Sequence, residues 1–309
     1  MTERVACVGE CMVELSEGPD GSLTRSFGGD TLNTALYLAR LGVATDYVTA
    51  LGTDPFSDAM LAAWEQEGIG TGLVQRVPGA LPGLYLIRTD DAGERQFFHW
   101  RDSAPVRQLF RTPLPTIEAA LCQAGVVYLS GITLSLFGDD GRERLFQMLA
   151  CARQQGARIA FDTNFRLRGW PDPAAAREVY ERAFRVSDIV LASVEDHALL
   201  FGTAEPQAVL DRLRVAGVLE AVVKLAVPAC HVVAEGVAAI IEAVPVLDVV
   251  DTTAAGDSFA AAYLAARLSR CSPADAARAG HILAGAVVRH RGAIIPRAAM
   301  PAIPLCEAP

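Results

Sequence analysis

Asp257 stands near the end of a run, Asp251-Thr252-Thr253-Ala254-Ala255-Gly256-Asp257-Ser258-Phe259, whose residue types suit the handling of an anion. The apolar stretch before it, residues 244–250, reads as a buried strand, and the Ala- and Leu-rich stretch after it, residues 260–268, reads as a helix. Small side chains at Ala254, Ala255 and Gly256 let the backbone turn tightly and aim its N–H groups at one point. A helix N-terminus there adds partial positive charge. A carboxylate beside such a pocket suits one task, accepting the proton of a hydroxyl while the pocket holds a phosphoryl group. Capping is the competing reading, since Asp and Ser are common at helix starts.

Two further clusters carry polar groups at the ends of predicted elements. Phe27-Gly28-Gly29-Asp30-Thr31-Leu32-Asn33 breaks an extended segment with a glycine pair and then starts a helix. Asp30 and Asn33 either cap that helix or grip a small polyol. Phe161-Asp162-Thr163-Asn164-Phe165-Arg166 ends an apolar strand with a carboxylate, an amide and a guanidinium. Arg101, just past another strand, is either an exposed charge or a second guanidinium for the same pocket. Two convergent guanidinium groups match a carboxylate, which a neutral sugar lacks.

The elements that must position these groups follow from the hydrophobic pattern. From about residue 120, apolar runs of four or five residues alternate with helical periodicity, which predicts a mostly parallel sheet covered by helices on both faces. Ligands of such sheets bind beyond the carboxyl ends of the strands, where all three clusters fall. Within the first hundred residues, segments 12–16, 22–27, 84–89 and 95–100 read as strands of a separate small sheet, with a hairpin turn over residues 90–93. Such a sheet, built from about 12–27 and 84–101, could act as a lid that keeps water from a phosphoryl transfer. The whole chain, 1–309, then reads as one domain with that appendage.

Composition narrows the function classes. A net charge of −9 over 309 residues argues against a general nucleic-acid or anionic-membrane binder. The N-terminal residues run straight into a strand, and no uncharged apolar stretch reaches membrane-spanning length, so a cytoplasmic protein is expected. The seven Cys form no Cys-x-x-Cys pair and read as buried free thiols. His231, His281 and His290 lack metal-ligand spacing, and metal ligands stay unassigned.

The run from Asp251 to Phe259 resembles the signature of the ribokinase-like (phosphofructokinase B) carbohydrate kinases. The glycine pair with Asp30 and Asn33, and Asp162-x-Asn164-x-Arg166 with Trp170, are similar to the family's motifs as well. The similarity spans nearly the whole chain, and it narrows to members that phosphorylate 2-keto-3-deoxy sugar acids. The resemblance implies a ribokinase-like α/β fold and the reaction of ATP, with Mg2+, at the 6-hydroxyl of 2-dehydro-3-deoxy-D-gluconate. It implies Asp257 as base and the N–H groups of Ala254, Ala255 and Gly256 as the anion hole. Gly29, Asp30, Asn33, Tyr85, His99, Arg101 and Arg166 become substrate contacts, and Asn164, Arg166, Ser193, Lys224, Ala226 and Gly256 the nucleotide side. A neutral-sugar kinase such as one for fructose, and a sugar-acid sensor with weak catalysis, are the competing functions. The second is motivated by Ala226 and Ala229, where the family tends to have glycine, and by Pro228, which removes a backbone donor. A homodimer joined through the small sheets is expected.

Overall fold

The computed structural model describes residues 3–18, 20–89 and 95–306. Strands β1 (Val5–Val8), β2 (Met12–Glu17) and β3 (Leu23–Gly28) lead into α1 (Asp30–Arg40) and β4 (Thr45–Gly52). Then come α2 (Pro55–Gln66), β5 (Ile69–Gly70), β6 (Val74–Val77), β7 (Leu84–Thr89) and β8 (Arg95–Trp100). The middle of the chain forms α3 (Pro115–Gln123), β9 (Val126–Ser130), α4 (Gly131–Leu136), α5 (Asp139–Gln154), β10 (Arg158–Asp162) and α6 (Pro173–Val186). The remainder forms β11 (Ile189–Ser193), α7 (Val194–Phe201), α8 (Pro206–Ala216), β12 (Glu220–Lys224), β13 (Ala229–Ala234), β14 (Val237–Glu242), α9 (Ala255–Leu268) and α10 (Pro273–Val287).

Among the described residues, ten strands make one sheet in the order β14-β13-β12-β11-β10-β9-β1-β4-β5, with β6 also pairing β4. The pairs from β12 through β4 to β5 and β6 are parallel, and β13 and β14 add an antiparallel edge. Successive strand residues serve opposite faces: Ala6 and Val8 enter one buried cluster, Val5 and Cys7 the other. The same split holds in β9, where Val127 and Leu129 face one way and Val126 and Tyr128 the other. Burial on both faces is why these strands read as continuous apolar runs.

The separate small sheet is present, with strand order β3-β2-β7-β8. Its register places Ser26, Glu14, Tyr85 and His99 side by side in one row across all four strands. The predicted turn at residues 90–93 lies outside the described residues.

The fold also corrects the sequence reading. Residues 244–250 form no strand; Val244, Leu247, Val249 and Val250 are exposed. Pro245 cannot donate to a ladder, and β14 already ends that edge of the sheet. Strand β14 itself, together with β5, β6, α3 and α4, was not anticipated. Two cysteines expected to be free, Cys271 and Cys306, are joined in a disulfide that ties the C-terminal segment to the loop between α9 and α10. No local pattern marks that pair, because its members lie 35 residues apart. Cys7, Cys11, Cys122, Cys151 and Cys230 remain free thiols.

Candidate active site

Four consecutive strands of the main sheet each end on a polar residue: Ser130 on β9, Asp162 on β10, Ser193 on β11 and Lys224 on β12. Parallel strands in register bring these ends to one edge, where a buried run meets solvent. The start of α9 closes the site. Asp251 shapes the turn that precedes it: Oδ1 accepts from the N–H of Thr253 at 3.0 Å and its hydroxyl at 2.7 Å, and Oδ2 accepts from the N–H of Gly292 at 2.6 Å.

Ala254 sits at the N-cap of α9 with φ 60° and ψ 15°, in the left-handed region. That conformation is strained for a residue with a Cβ, and alanine is the smallest such residue. The Ala255 N–H points back to the Thr252 carbonyl at 3.2 Å. Gly256 and Asp257 occupy the first turn, where N–H groups have no intrahelical partner. The Lys224 Nζ lies 3.4 Å from where a Cβ on Gly256 would stand, so a fixed cation faces the same turn.

Asp257 is not a cap. Its Oδ2 accepts from the Asn33 amide at 2.8 Å, and its main-chain carbonyl accepts from the Thr34 hydroxyl at 3.2 Å. Burial pushes the Asp257 carboxyl up to about 8, with Asp30 and then Asp162 adding to the rise; the Asn33 hydrogen bond and Lys224 work the other way. Asp30 makes no cap either. Its Oδ2 accepts from the Ser130 hydroxyl at 2.5 Å and from the Asn164 amide at 2.9 Å, joining α1 to the ends of β9 and β10. The glycine before it is required by space, since a Cβ at Gly29 would lie 2.1 Å from the Glu10 carbonyl oxygen.

Asp162 and Lys224 pair at 3.1 Å. Burial raises Asp162, although Lys224 opposes it. Burial disfavours the Lys224 ammonium, but Asp162, then Asp196 and Asp257, outweigh it and hold Lys224 above its ordinary value. Asn164 turns the chain at φ 27°. Ser193 spends its hydroxyl on the N–H of Asp196 at 3.0 Å, capping α7. Ala226 is exposed in the loop between β12 and β13, and neither it nor Ala229 has a positive φ, so alanine strains no backbone there.

The small sheet supplies the opposite wall. Tyr85 donates its hydroxyl to Glu14, which also accepts from Ser26 at 2.8 Å, and the His99 ring stacks on Tyr85 with centroids 5.8 Å apart. Burial foremost, then Glu14, pushes the Tyr85 phenol up, and Asp257 contributes, which places the two in one electrostatic neighbourhood. Burial, then Arg101 and Arg168, hold His99 below its ordinary value. Arg101 forms a buried ion pair with Glu10. Arg166 is exposed and donates to the Phe165 carbonyl at 2.8 Å. The cation that shares the surroundings of His99 with Arg101 is thus Arg168, which the sequence reading passed over. Ser130, Glu10 and Glu14 were missed as well. Ser130 carried one usable signal, a polar residue closing a fully apolar strand just before Gly131.

This fold and site define a phosphotransferase class, and the chain belongs to the pfkB family of carbohydrate kinases, whose model matches residues 2–300. Within that class the chain is 45% identical to the 2-dehydro-3-deoxygluconokinase of Dickeya dadantii, over 97% of this chain and 99% of that one. It is 43% identical to the 2-dehydro-3-deoxygluconokinase of Escherichia coli K12, over 98% and 100%. Fructokinases stand further off; that of Salmonella typhimurium is 29% identical over 89% of this chain and 88% of its own length. Among solved structures, the fructokinase of Xylella fastidiosa with bound ATP superposes with a TM-score of 0.82 at 23% identity, covering 97% of this chain and 96% of that one. The ribokinase-like expectation is borne out. No helix among the described residues is long and apolar enough to cross a membrane.

Proposed function

We infer that the protein phosphorylates 2-dehydro-3-deoxy-D-gluconate at its 6-hydroxyl, using ATP. The observation that carries the chemistry is Asp257, held by Asn33 beside an anion-binding turn that Lys224 faces. The substrate follows from full-length identity of 43–45% to 2-dehydro-3-deoxygluconokinases, against 29% to a fructokinase. Asp257 accepts the hydroxyl proton while the first-turn N–H groups of α9 hold charge on the transferring phosphoryl group. Gly29, Asp30 and Asn33 grip the sugar from the start of α1. Tyr85 and His99 cover it from the small sheet, Arg101 meets its carboxylate, and Arg166, exposed beyond β10, helps neutralise the transferring phosphate. Lys224, Asn164, Ser193 and Ala226 border the nucleotide.

A magnesium ion that travels with ATP needs few protein ligands, because phosphate and water fill most of its sphere. Among the described residues no group of three or more His, Cys, Asp or Glu is placed to hold a metal, which fits an ion carried by its nucleotide. Asp162 and Asn164 would order water on that ion, which would neutralise phosphate charge.

The small sheet acts as a lid. On its outer face Leu23, Phe98 and Trp100 are 56%, 42% and 60% exposed, an apolar surface suited to a second copy of the chain. A homodimer in the cytoplasm is the assembly this reading supports, and light scattering tests it.

The deciding assay is coupled ADP release with ATP and magnesium, offered 2-dehydro-3-deoxy-D-gluconate, fructose and ribose in turn. Turnover on the keto-deoxy acid alone is expected. Turnover on the neutral sugars alone would overturn the sugar-acid reading, and tight acid binding without turnover would make the protein a sensor.

A further inference from the structure

Glu10 lies at the carboxyl end of β1 and is 2% exposed, yet it belongs to no part of the reaction described above. Its partner Arg101 lies one residue past β8, so the ion pair joins the main sheet to the lid. Arg101 Nη2 lies against Glu10 Oε2, while Glu10 Oε1 and Arg101 Nε have no hydrogen-bond partner among the described residues. A buried ion pair with unsatisfied polar atoms is costly, and Arg101 Nε remains open to a third group. Gly83 packs over both partners: a Cβ there would stand 3.1 Å from Glu10 Oε1 and 3.2 Å from the Arg101 Cβ.

We propose that Glu10 is a resident counter-carboxylate for Arg101, one that gives up the guanidinium and takes a proton from solvent when the carboxylate of a sugar acid binds. This rests on the sugar-acid reading of the pocket. Without the proton, two carboxylates would share one buried guanidinium and leave a net negative charge where water has been removed. Protonating Glu10 restores neutrality, and the arginine stays charged throughout. The other charged and titratable groups around Glu10 are Arg107 and Asp30, with the Cys11 thiol next in the chain and His99 beside Arg101. Burial has already pushed the Glu10 carboxyl up to about 7 against the pull of Arg101 and Arg107, so a second carboxylate needs to move it little to capture a proton near neutrality.

The consequence is a proton-linked affinity: the sugar acid binds more weakly as pH rises past Glu10, by at most about tenfold per pH unit for one proton. A neutral glutamine in place of Glu10 would hold no proton to exchange. Calorimetry of 2-dehydro-3-deoxy-D-gluconate binding without nucleotide, in two buffers of different ionisation enthalpy, reads the proton directly. An Asp257→Asn background removes the proton of the base. In that background we expect net proton uptake near neutrality and affinity that falls with pH. Adding Glu10→Gln should abolish the uptake and flatten the pH dependence. Binding without uptake in the Asp257→Asn protein overturns the proposal even if the double variant fails to fold. Uptake that persists in a folded Glu10→Gln variant also overturns it and assigns the proton to another group, with His99 the nearest. Absent binding of the sugar acid, with fructose bound instead, overturns the sugar-acid reading itself and this inference with it.

Discussion

The Asn33 amide donates to the Asp257 carboxylate over 2.8 Å, joining residues 224 positions apart in the chain. One lies in the first turn of α1 and the other in the first turn of α9. The hydrogen bond fixes the carboxylate's direction and, by favouring its charged form, restrains the rise that burial imposes.

Asp257→Asn should lower kcat by about 10²–10⁴, the range for loss of a positioned base, with sugar binding retained. The same change should stabilise the protein in alkali. The folded pKa of Asp257 lies above its unfolded value, so the stability linked to its proton is full below the unfolded pKa and is lost as pH rises through about 8. Thermal melts of both proteins should therefore nearly coincide near pH 4, draw apart progressively up to about pH 8 and stay apart above it, with Asp257→Asn melting higher.

Activity should follow the ionised base. Below about 8 the carboxyl of the free enzyme is protonated, so kcat/KM should fall on the acid side of that value. Asn33→Ala removes a hydrogen bond that lowers the pKa, so it should move this acid limb to higher pH. A limb that stays put in a folded variant would show that the amide does not act on the base.

Lys224→Met leaves the Asp162 carboxylate buried beside Asp196 with no cation. Removing one partner of a buried pair costs about 3–5 kcal/mol, and adding Asp162→Asn should recover part of it. Urea melts of the two variants measure the difference. An unchanged melt for Lys224→Met would mean that water already supports Asp162.

Ala254 tests the turn. Ala254→Gly removes the left-handed strain of about 1–2 kcal/mol and should leave stability equal or higher. Ala254→Val places a β-branched side chain at positive φ, where such residues are outliers, and should reduce both stability and kcat. Denaturant melts and ADP release, run side by side, separate the two effects.

Much of the site could be read locally. The Asp251 to Gly256 turn, the glycine pair at Gly28 and Gly29, and the polar residues closing β10 are short-range features whose chemistry depends on neighbours in sequence. Strands β7 and β8 of the small sheet showed in the alternation of residues 84–89 and 95–100. The open choices were decided elsewhere. Whether Asp30 capped its helix or served the site depended on Ser130 and Asn164, which lie 100 and 134 residues away.

The amino-acid order by itself determined the parallel α/β architecture, because strands buried on both faces must be continuously apolar and helices between them must be amphipathic. It also marked Asp257 and the small-residue turn as candidates for the chemistry, since both lie within one loop-to-helix junction. Tertiary structure alone decided that residues 244–250 stay outside the sheet, that Cys306 meets Cys271, and that Arg101 is held by Glu10 while Arg166 faces solvent. Each of these depends on which distant group fills a buried volume or cancels a buried charge. A charge or an apolar run looks the same in sequence whether its partner is water, a carboxylate or the rest of the core.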